Sequence, residues 1–176
     1  GFGKQLAINI PSELNTPDYL GRTLSYMTIG EFRKQPFKPT FIKPARYPKE
    51  FMAGVITLPS SIEFLKDTPD DTPALLSNIV DIVSEYRCYI INKKLVGIKH
   101  YQGDCRIFPN VQVIDNMIND YKSAPRGYSI DVGILDSGKT ILIEVQDGWA
   151  LGNYGLEADV YARLLTTRWF ELTKKA

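Results

Sequence analysis

Two runs of β-branched and aliphatic residues late in the chain, 129–134 and 140–147, flank the segment Asp136-Ser137-Gly138. An Asp-x-Gly segment between two such runs is typical of a tight β-hairpin. We therefore predict that the two runs pair as antiparallel strands.

Other apolar runs predict further strands. One hairpin is expected from 40–44 and 51–57, and another from 85–91 and 95–101 around Asn92-Lys93-Lys94. A short strand is predicted at 6–10. The apolar segment 75–83 fits either a strand or a helix.

Helical spacing of apolar residues appears in two longer segments, 111–121 and 156–172. Shorter helices are predicted near 18–27, after the capping-box sequence that begins at Thr28, and at 60–66. Because strand pairs alternate with helices and no βαβ run is present, the pattern predicts an α+β fold.

Two carboxylates interrupt the apolar arms of the late hairpin. Asp131 and Glu144 occupy positions where a strand made only for packing carries Val or Ile, and carboxylates are rarely buried unless something pairs with them. With oxygens from Gln146 or Asp147 nearby, they suit a hard divalent cation such as Mg2+. The hairpin therefore predicts a site for a metal-bound phosphate, the alternative being an exposed sheet face whose acids balance nearby lysines.

Three basic residues lie in or at the ends of predicted strands. Lys43 ends an apolar strand and is a candidate phosphate contact, although a solvated lysine is the alternative. Arg87 and Lys99 face each other if their hairpin closes as predicted, and two cations on one face repel unless an anion lies between them. For Arg87, pairing with Glu85 or Asp131 is an equally good interpretation.

Composition narrows the class of protein. The 176 residues carry a formal net charge of +1, which gives no electrostatic reason for a nucleic-acid or membrane partner. The two cysteines, Cys88 and Cys105, have no metal-site spacing and are typical of a reducing compartment. With no apolar run long enough to cross a membrane, we expect a cytoplasmic protein.

Taken together, the motifs resemble those of the ATP-grasp superfamily, in particular its smaller ligase-like members, from about residue 39 to residue 172. The resemblance rests on the order and spacing of Phe41-Ile42-Lys43-Pro44, Glu85-Tyr86-Arg87-Cys88-Tyr89-Ile90, Lys99, Tyr128-Ser129-Ile130-Asp131-Val132-Gly133, Ile143-Glu144-Val145-Gln146-Asp147-Gly148 and the glycine-rich segment 148–155. It implies two α+β lobes with antiparallel sheets enclosing a nucleotide cleft.

The resemblance also implies roles for individual residues toward ATP. Lys43 would contact the nucleotide phosphates, and the apolar hinge containing Ile79 and Val80 would line the adenine. Arg87 and Lys99 would neutralise the γ-phosphate and an acyl-phosphate intermediate.

For the metal, the resemblance implies that Asp131 and Glu144 hold Mg2+. Gln146 stands where the family usually has Asn, which keeps the amide oxygen on a longer arm. Asp147 is expected to supply an additional oxygen.

The implied reaction is that of a carboxylate–amine ligase, in which a carboxylate takes the γ-phosphoryl group of ATP and an amine then displaces phosphate. Positioning and charge neutralisation suffice for this chemistry, so no nucleophilic triad is expected. The substrates are expected to be small-molecule, peptide or protein carboxylates and amines. A phosphotransferase and a nucleotide-binding module without catalysis are the alternatives, and the oligomeric state stays open, a homodimer included.

Domain organisation follows from the same resemblance. Residues 1–38 are expected to be a remnant or part of an N-terminal domain, with the predicted strand 6–10 belonging to something larger. Residues 39–176 form the predicted ATP-grasp domain, with a smaller lobe over about 39–80 and a larger lobe over about 81–176.

Overall fold

Two antiparallel four-stranded sheets form the framework of the chain in a computed structural model, which describes residues 6–149 and 151–174. One compact unit comprises residues 22–80 with 6–7, and the other comprises 8–21, 81–149 and 151–174. The α+β class is confirmed, because every strand pair in both sheets is antiparallel and helices pack on the sheets. The lobe boundaries given above stay a prediction.

The elements follow one another from an N-terminal 3₁₀ turn to a long C-terminal helix. The strands are β1 (Leu24–Thr28), β2 (Thr40–Pro44), β3 (Gly54–Ile56), β4 (Pro73–Ser77), β5 (Ile82–Ile91), β6 (Lys94–Gly103), β7 (Gly127–Leu135) and β8 (Thr140–Asp147). The α-helices are α1 (Pro17–Leu20), α2 (Ile29–Arg33), α3 (Val111–Asp120) and α4 (Ala158–Thr173), and two 3₁₀ helices span Ser12–Leu14 and Pro59–Leu65.

The first unit has the strand order β1-β4-β2-β3. Alternation along β2 places Ile42 on the face that forms the apolar core, where it packs with Leu76 and Ile29, and places Lys43 on the opposite face. The predicted capping box is present at the start of α2, since Thr28 Oγ1 accepts a hydrogen bond from the Glu31 amide at 3.2 Å and Glu31 Oε2 accepts one from the Thr28 amide at 2.7 Å.

The second unit has the strand order β6-β5-β7-β8 and helices on both faces. On one face, called here the α4 face, Leu164 of α4 packs against Tyr89 and Ile91 of β5. On the other, the α3 face, the ring of Tyr121 just after α3 meets the edge of Tyr128 at a centroid distance of 5.5 Å. The sheet is therefore buried on both sides over much of its length.

A one-residue register shift interrupts the β7–β8 pair. Val132 pairs with Leu142 and Asp131 pairs with Glu144, so that Ile143 is an extra residue in β8. Such a bulge reverses the side to which the following residues point. Leu142 and Val145 therefore both belong to the α3 face although they are three positions apart, and Glu144 belongs to the α4 face.

Both predicted hairpins of the second unit are confirmed, as are the pairing of β2 with β3 and the helix at 111–120. The C-terminal helix is also present, with bounds two residues later at its start. The ambiguous segment 75–83 contains the end of β4 and the start of β5, separated by residues 78–81 without regular structure. The short helix predicted at 60–66 is the 3₁₀ helix Pro59–Leu65.

The helix predicted near 18–27 is wrong for most of its length. Helix α1 ends at Leu20 because Gly21 adopts a left-handed φ of 59°, and the chain then extends as β1, which pairs with β4. At the predicted strand 6–10, the only pairing in the described residues is an isolated bridge between Asn9 and Val145. The part of the N-terminal prediction that covers residues 1–5 lies outside the described residues.

Within the described ranges, no helix is both long enough and apolar enough to span a membrane.

Candidate functional site

A buried ion pair lies at the centre of the second sheet. Arg87 of β5 and Asp131 of β7 are directly opposite each other. Arg87 Nε donates to Asp131 Oδ1 at 2.8 Å and its terminal nitrogen donates to Oδ2 at 2.6 Å, while the two side chains are 5% and 3% exposed. This bidentate geometry is the strongest form of the contact. Asp131 is one of the two partners that the sequence left open for Arg87.

The electrostatic balance favours charged forms of both groups. Burial lowers the pKa of the Arg87 guanidinium, but the hydrogen bonds and charge of Asp131 raise it further, so the pKa lies above its ordinary value. Arg87 is therefore a permanent cation whose charge is compensated inside the sheet.

Glu144 and Gln146 complete the polar group next to this ion pair. The bulge in β8 places Glu144 directly opposite Asp131, and alternation puts Gln146 on the same face. Gln146 Nε2 donates to Glu144 Oε1 and lies 3.4 Å from Asp131 Oδ2. The structure thus brings together three of the four predicted metal ligands.

This oxygen-rich group fits Mg2+. A carboxylate has about four acceptor sites, so Asp131 can accept from Arg87 and still offer lone pairs to a cation. The orientation of an amide is an assignment, and rotation of the Gln146 amide exchanges its nitrogen for an oxygen that faces the carboxylates. In the described parts of the chain, no three His, Cys, Asp or Glu residues form a metal cluster, which agrees with the preference of Mg2+ for one or two carboxylates plus phosphates and water.

Asp147 lies apart from this group. As the neighbour of Gln146 in β8 it points toward the α3 face, where both of its oxygens accept hydrogen bonds from Arg168 of α4 at 2.7 and 2.6 Å. Glu171 accepts a further bond from Arg168 at 2.9 Å, and these hydrogen bonds and charges raise the pKa of the guanidinium. The structure gives Asp147 a position that ties β8 to α4, and its role as a metal ligand stays a prediction.

Lys99 lies beside the ion pair. It is opposite Arg87 in the β5–β6 register, as expected, and its ammonium donates to Glu157 Oε1 at 3.1 Å. The backbone amide of Glu157 and the Lys99 ammonium both lower the pKa of that carboxyl. Lys99 is 26% exposed, so its charge faces solvent in part. The two cations avoid direct repulsion because each has its own carboxylate partner.

Two tyrosines that the sequence did not single out together cover Arg87. The rings of Tyr101 and Tyr154 stack at 5.1 Å, and the Arg87 guanidinium lies 4.8 Å from the centre of the Tyr154 ring. Tyr101 also donates to Glu85 Oε2 at 2.8 Å. A signal for Tyr101 exists in the sequence, because it follows Lys99 by two residues and strand alternation puts both on one face.

The remaining predicted site residues belong to the first unit. Lys43 lies in β2, opposite Leu75 of β4, on the face away from the apolar core. Ile79 is 38% exposed and Val80 is half-buried, both in the irregular segment after β4. The structure brings Arg87, Lys99, Asp131, Glu144 and Gln146 together within one sheet, and the roles predicted for Lys43, Ile79 and Val80 stay predictions.

Comparison with known families agrees with this arrangement. The sequence profile of an ATP-grasp domain family, the second family of its clade, matches residues 19–164. The chain belongs to this ATP-grasp family. No curated protein matches the chain in sequence.

Solved ATP-grasp structures share the fold. A D-alanine–D-alanine ligase from Bacillus anthracis, complexed with ATP, superposes with a TM-score of 0.59 at 15% identity over 93% of this chain and 64% of the other. The ATP-grasp ligase PsnB, complexed with a minimal precursor, gives 0.55 at 14% identity over 91% and 61%. A RimK domain protein from Sphaerobacter thermophilus gives 0.58 at 11% identity over 89% and 60%. The chain thus spans less than two thirds of these relatives, and the ATP-grasp fold predicted from the motifs is confirmed.

Proposed function

We propose that this ATP-grasp protein is an ATP- and Mg2+-dependent carboxylate–amine ligase that forms an amide through an acyl phosphate. The observation that supports the proposal most directly is the position of Glu144 beside Asp131, on the sheet face that also carries Arg87 and Lys99. Two carboxylates next to two cations match the charge of a metal–triphosphate group.

The residues divide into two roles. Asp131, Glu144 and the Gln146 amide would hold Mg2+, which supplies charge neutralisation to the phosphates when bound. Lys99 has the more accessible ammonium and suits direct contact with the transferring phosphoryl group, whereas Arg87 is nearly buried and holds Asp131 in place. Lys43, Ile79 and Val80 keep the nucleotide contacts predicted for them.

The chemistry needs no protein nucleophile. An oxygen of the substrate carboxylate attacks the γ-phosphorus, ADP leaves, and an acyl phosphate forms. The amine then attacks the acyl carbon, loses a proton, and expels inorganic phosphate. Fixed positive charge near the transferring group stabilises both steps, because negative charge moves toward it as each leaving group departs.

The relatives guide the choice of substrates. One solved relative is a D-alanine–D-alanine ligase with ATP, and another is a ligase with a precursor. We therefore propose a small-molecule or peptide carboxylate and an amine as the substrate pair, with protein side chains as a further source of either group.

Calorimetric titration of ATP into the protein, with and without Mg2+, tests the nucleotide part of the proposal. Glu144→Gln is the best probe, because Glu144 is only half-buried and its neutralisation leaves the Arg87–Asp131 pair intact. We expect Mg2+-dependent binding by the wild type and loss of that dependence in Glu144→Gln. Asp136→Asn, in the exposed turn of the same hairpin, is the matched control and should bind as the wild type does.

Product analysis then separates the reactions. A ligase releases ADP and phosphate only when both a carboxylate and an amine are present. Release of ADP with a stable phosphorylated acceptor and no need for an amine would instead show a phosphotransferase. Metal-independent binding that is unchanged in Glu144→Gln would contradict the proposed site.

A further inference from the structure

A cavity of about 510 Å³ lies within the first unit, on the core side of its sheet. Thr40 of β2 lines it, and Thr40 shares its sheet face with Ile42. Lys43, the predicted phosphate contact, points to the opposite face. The cavity is therefore separate from the residues that the proposed function uses.

The inner part of the cavity is apolar. Met27, Ile56 and Leu76 contribute from three strands, and Phe32 and Ile62 contribute from the helical segments that cover this face. All five also belong to or pack against the apolar core of the unit. The cavity is thus an open continuation of the core, and its volume is within the range of about 300–1,000 Å³ that is typical of small-molecule sites.

The outer part of the cavity is positively charged. Its lining contains Arg33 and Lys38 and no acidic residue. The Arg33 side chain is already bound to Asp70 and to the carbonyl of Leu65, at 2.6 Å for the latter. Among the described residues, Lys38 makes no hydrogen bond or ion pair, so its ammonium can pair with an anionic ligand.

We propose that this cavity binds a small organic anion whose apolar, aromatic or branched body fills the inner part and whose single acidic group pairs with Lys38. The charge of the lining selects an anion over a neutral or cationic molecule, because burial of a positive group against Lys38 and Arg33 is unfavourable. The apolar inner surface selects against a free inorganic anion, since that ion would lose its hydration without a polar partner.

The probe for the test is anilinonaphthalene sulfonate, an aromatic anion whose fluorescence rises in apolar surroundings. We expect one saturable site on the full chain that ATP with Mg2+ does not displace. The parent amine phenylnaphthylamine, which lacks the sulfonate, should bind about tenfold more weakly, as expected when one surface ion pair is lost.

Variants locate the probe. Ser25 of β1 lines the cavity, so that Ser25→Phe fills it and should weaken binding at least tenfold, whereas Ser25→Ala should bind like the wild type. Lys38→Glu should weaken binding about tenfold, and Lys34→Glu, an exposed lysine outside the lining, should not. Unchanged circular dichroism establishes that each variant is folded.

Three results would overturn the proposal. They are wild-type affinity in Ser25→Phe, equal weakening by Lys34→Glu and Lys38→Glu, and displacement of the probe by ATP. The last would place the probe in the nucleotide site, and none of the three bears on whether the protein is a ligase.

Discussion

Replacing Arg87 with methionine should destabilise the second unit by about 3–5 kcal/mol, the usual effect of removing one partner from a buried ion pair. The pair has only 5% and 3% of its side chains exposed, and two charge-assisted hydrogen bonds hold it. After the change, the Asp131 carboxylate stays buried without its cation. Because domains are stable by only about 5–15 kcal/mol, the effect is a large fraction of the total.

A second substitution distinguishes the ion pair from simple packing. In Arg87→Met with Asp131→Leu, neither charge is present, so the double variant should be more stable than the sum of the two single changes predicts by about 3 kcal/mol or more. Both tryptophans, Trp149 and Trp169, lie in the second unit, so their fluorescence during urea unfolding reports on it.

Arg106→Met is the control for that experiment. Arg106 makes the same kind of bidentate contact with Asp104, but its side chain is 86% exposed. We expect almost no change in its urea midpoint, since exposed ion pairs contribute little. The reasoning fails if Arg87→Met unfolds at nearly the wild-type midpoint, or if the two single effects add without coupling.

Three further predictions concern other parts of the second unit. Asp147→Asn weakens the contact with Arg168 and should lower stability by about 1–2 kcal/mol in urea unfolding, but leave Mg2+-dependent ATP binding unchanged; loss of that dependence would make Asp147 a metal ligand. Gly103 and Gly138 have nearly equal φ values of 82° and 81°, but a Cβ at Gly103 would meet a backbone carbonyl of β5 at 2.3 Å and one at Gly138 would meet nothing within 4 Å. Gly138→Ala should therefore cost about 1 kcal/mol and Gly103→Ala at least about 3 kcal/mol, and equal costs in thermal unfolding would contradict the steric argument. Hydrogen bonds from a serine after α3, then from backbone amides, lower the pKa of Glu13 from 4.5 to about 2, so the stabilisation is complete above pH 4.5 and is lost as the pH falls toward 2; Glu13→Gln should show less acid sensitivity in that window, and an ordinary Glu13 pKa by NMR would refute this.

Periodicity was sufficient for the long elements of the second unit. The late hairpin and the helix at 111–120 have sustained apolar spacing, and the structure has them where the pattern places them. The helix predicted near 18–27 failed because one residue, Gly21, adopts a conformation that stops a helix, and the polar residues beyond it do not distinguish a helix from an edge strand.

The partners of the charged residues were harder to predict. Sequence spacing put Arg87 opposite Lys99, because a hairpin fixes that register. It could not choose between Glu85 and Asp131 as the partner of Arg87, since the choice depends on β7 lying next to β5. The contact of Lys99 with Glu157 joins residues 58 positions apart through the packing of a loop, which no local pattern encodes.

The extra residue at Ile143 has a consequence for how this chain is compared with its relatives and altered. The number of residues between Asp131 and Glu144 decides whether the second carboxylate reaches the first, so an alignment that places its gap in the exposed turn hides a change in chemistry. Shortening β8 by Ile143 would rotate Glu144 and Gln146 into the apolar interior while leaving every acidic residue in the sequence. The capacity of this sheet to hold a cation is thus encoded in chain length at one position as much as in residue type.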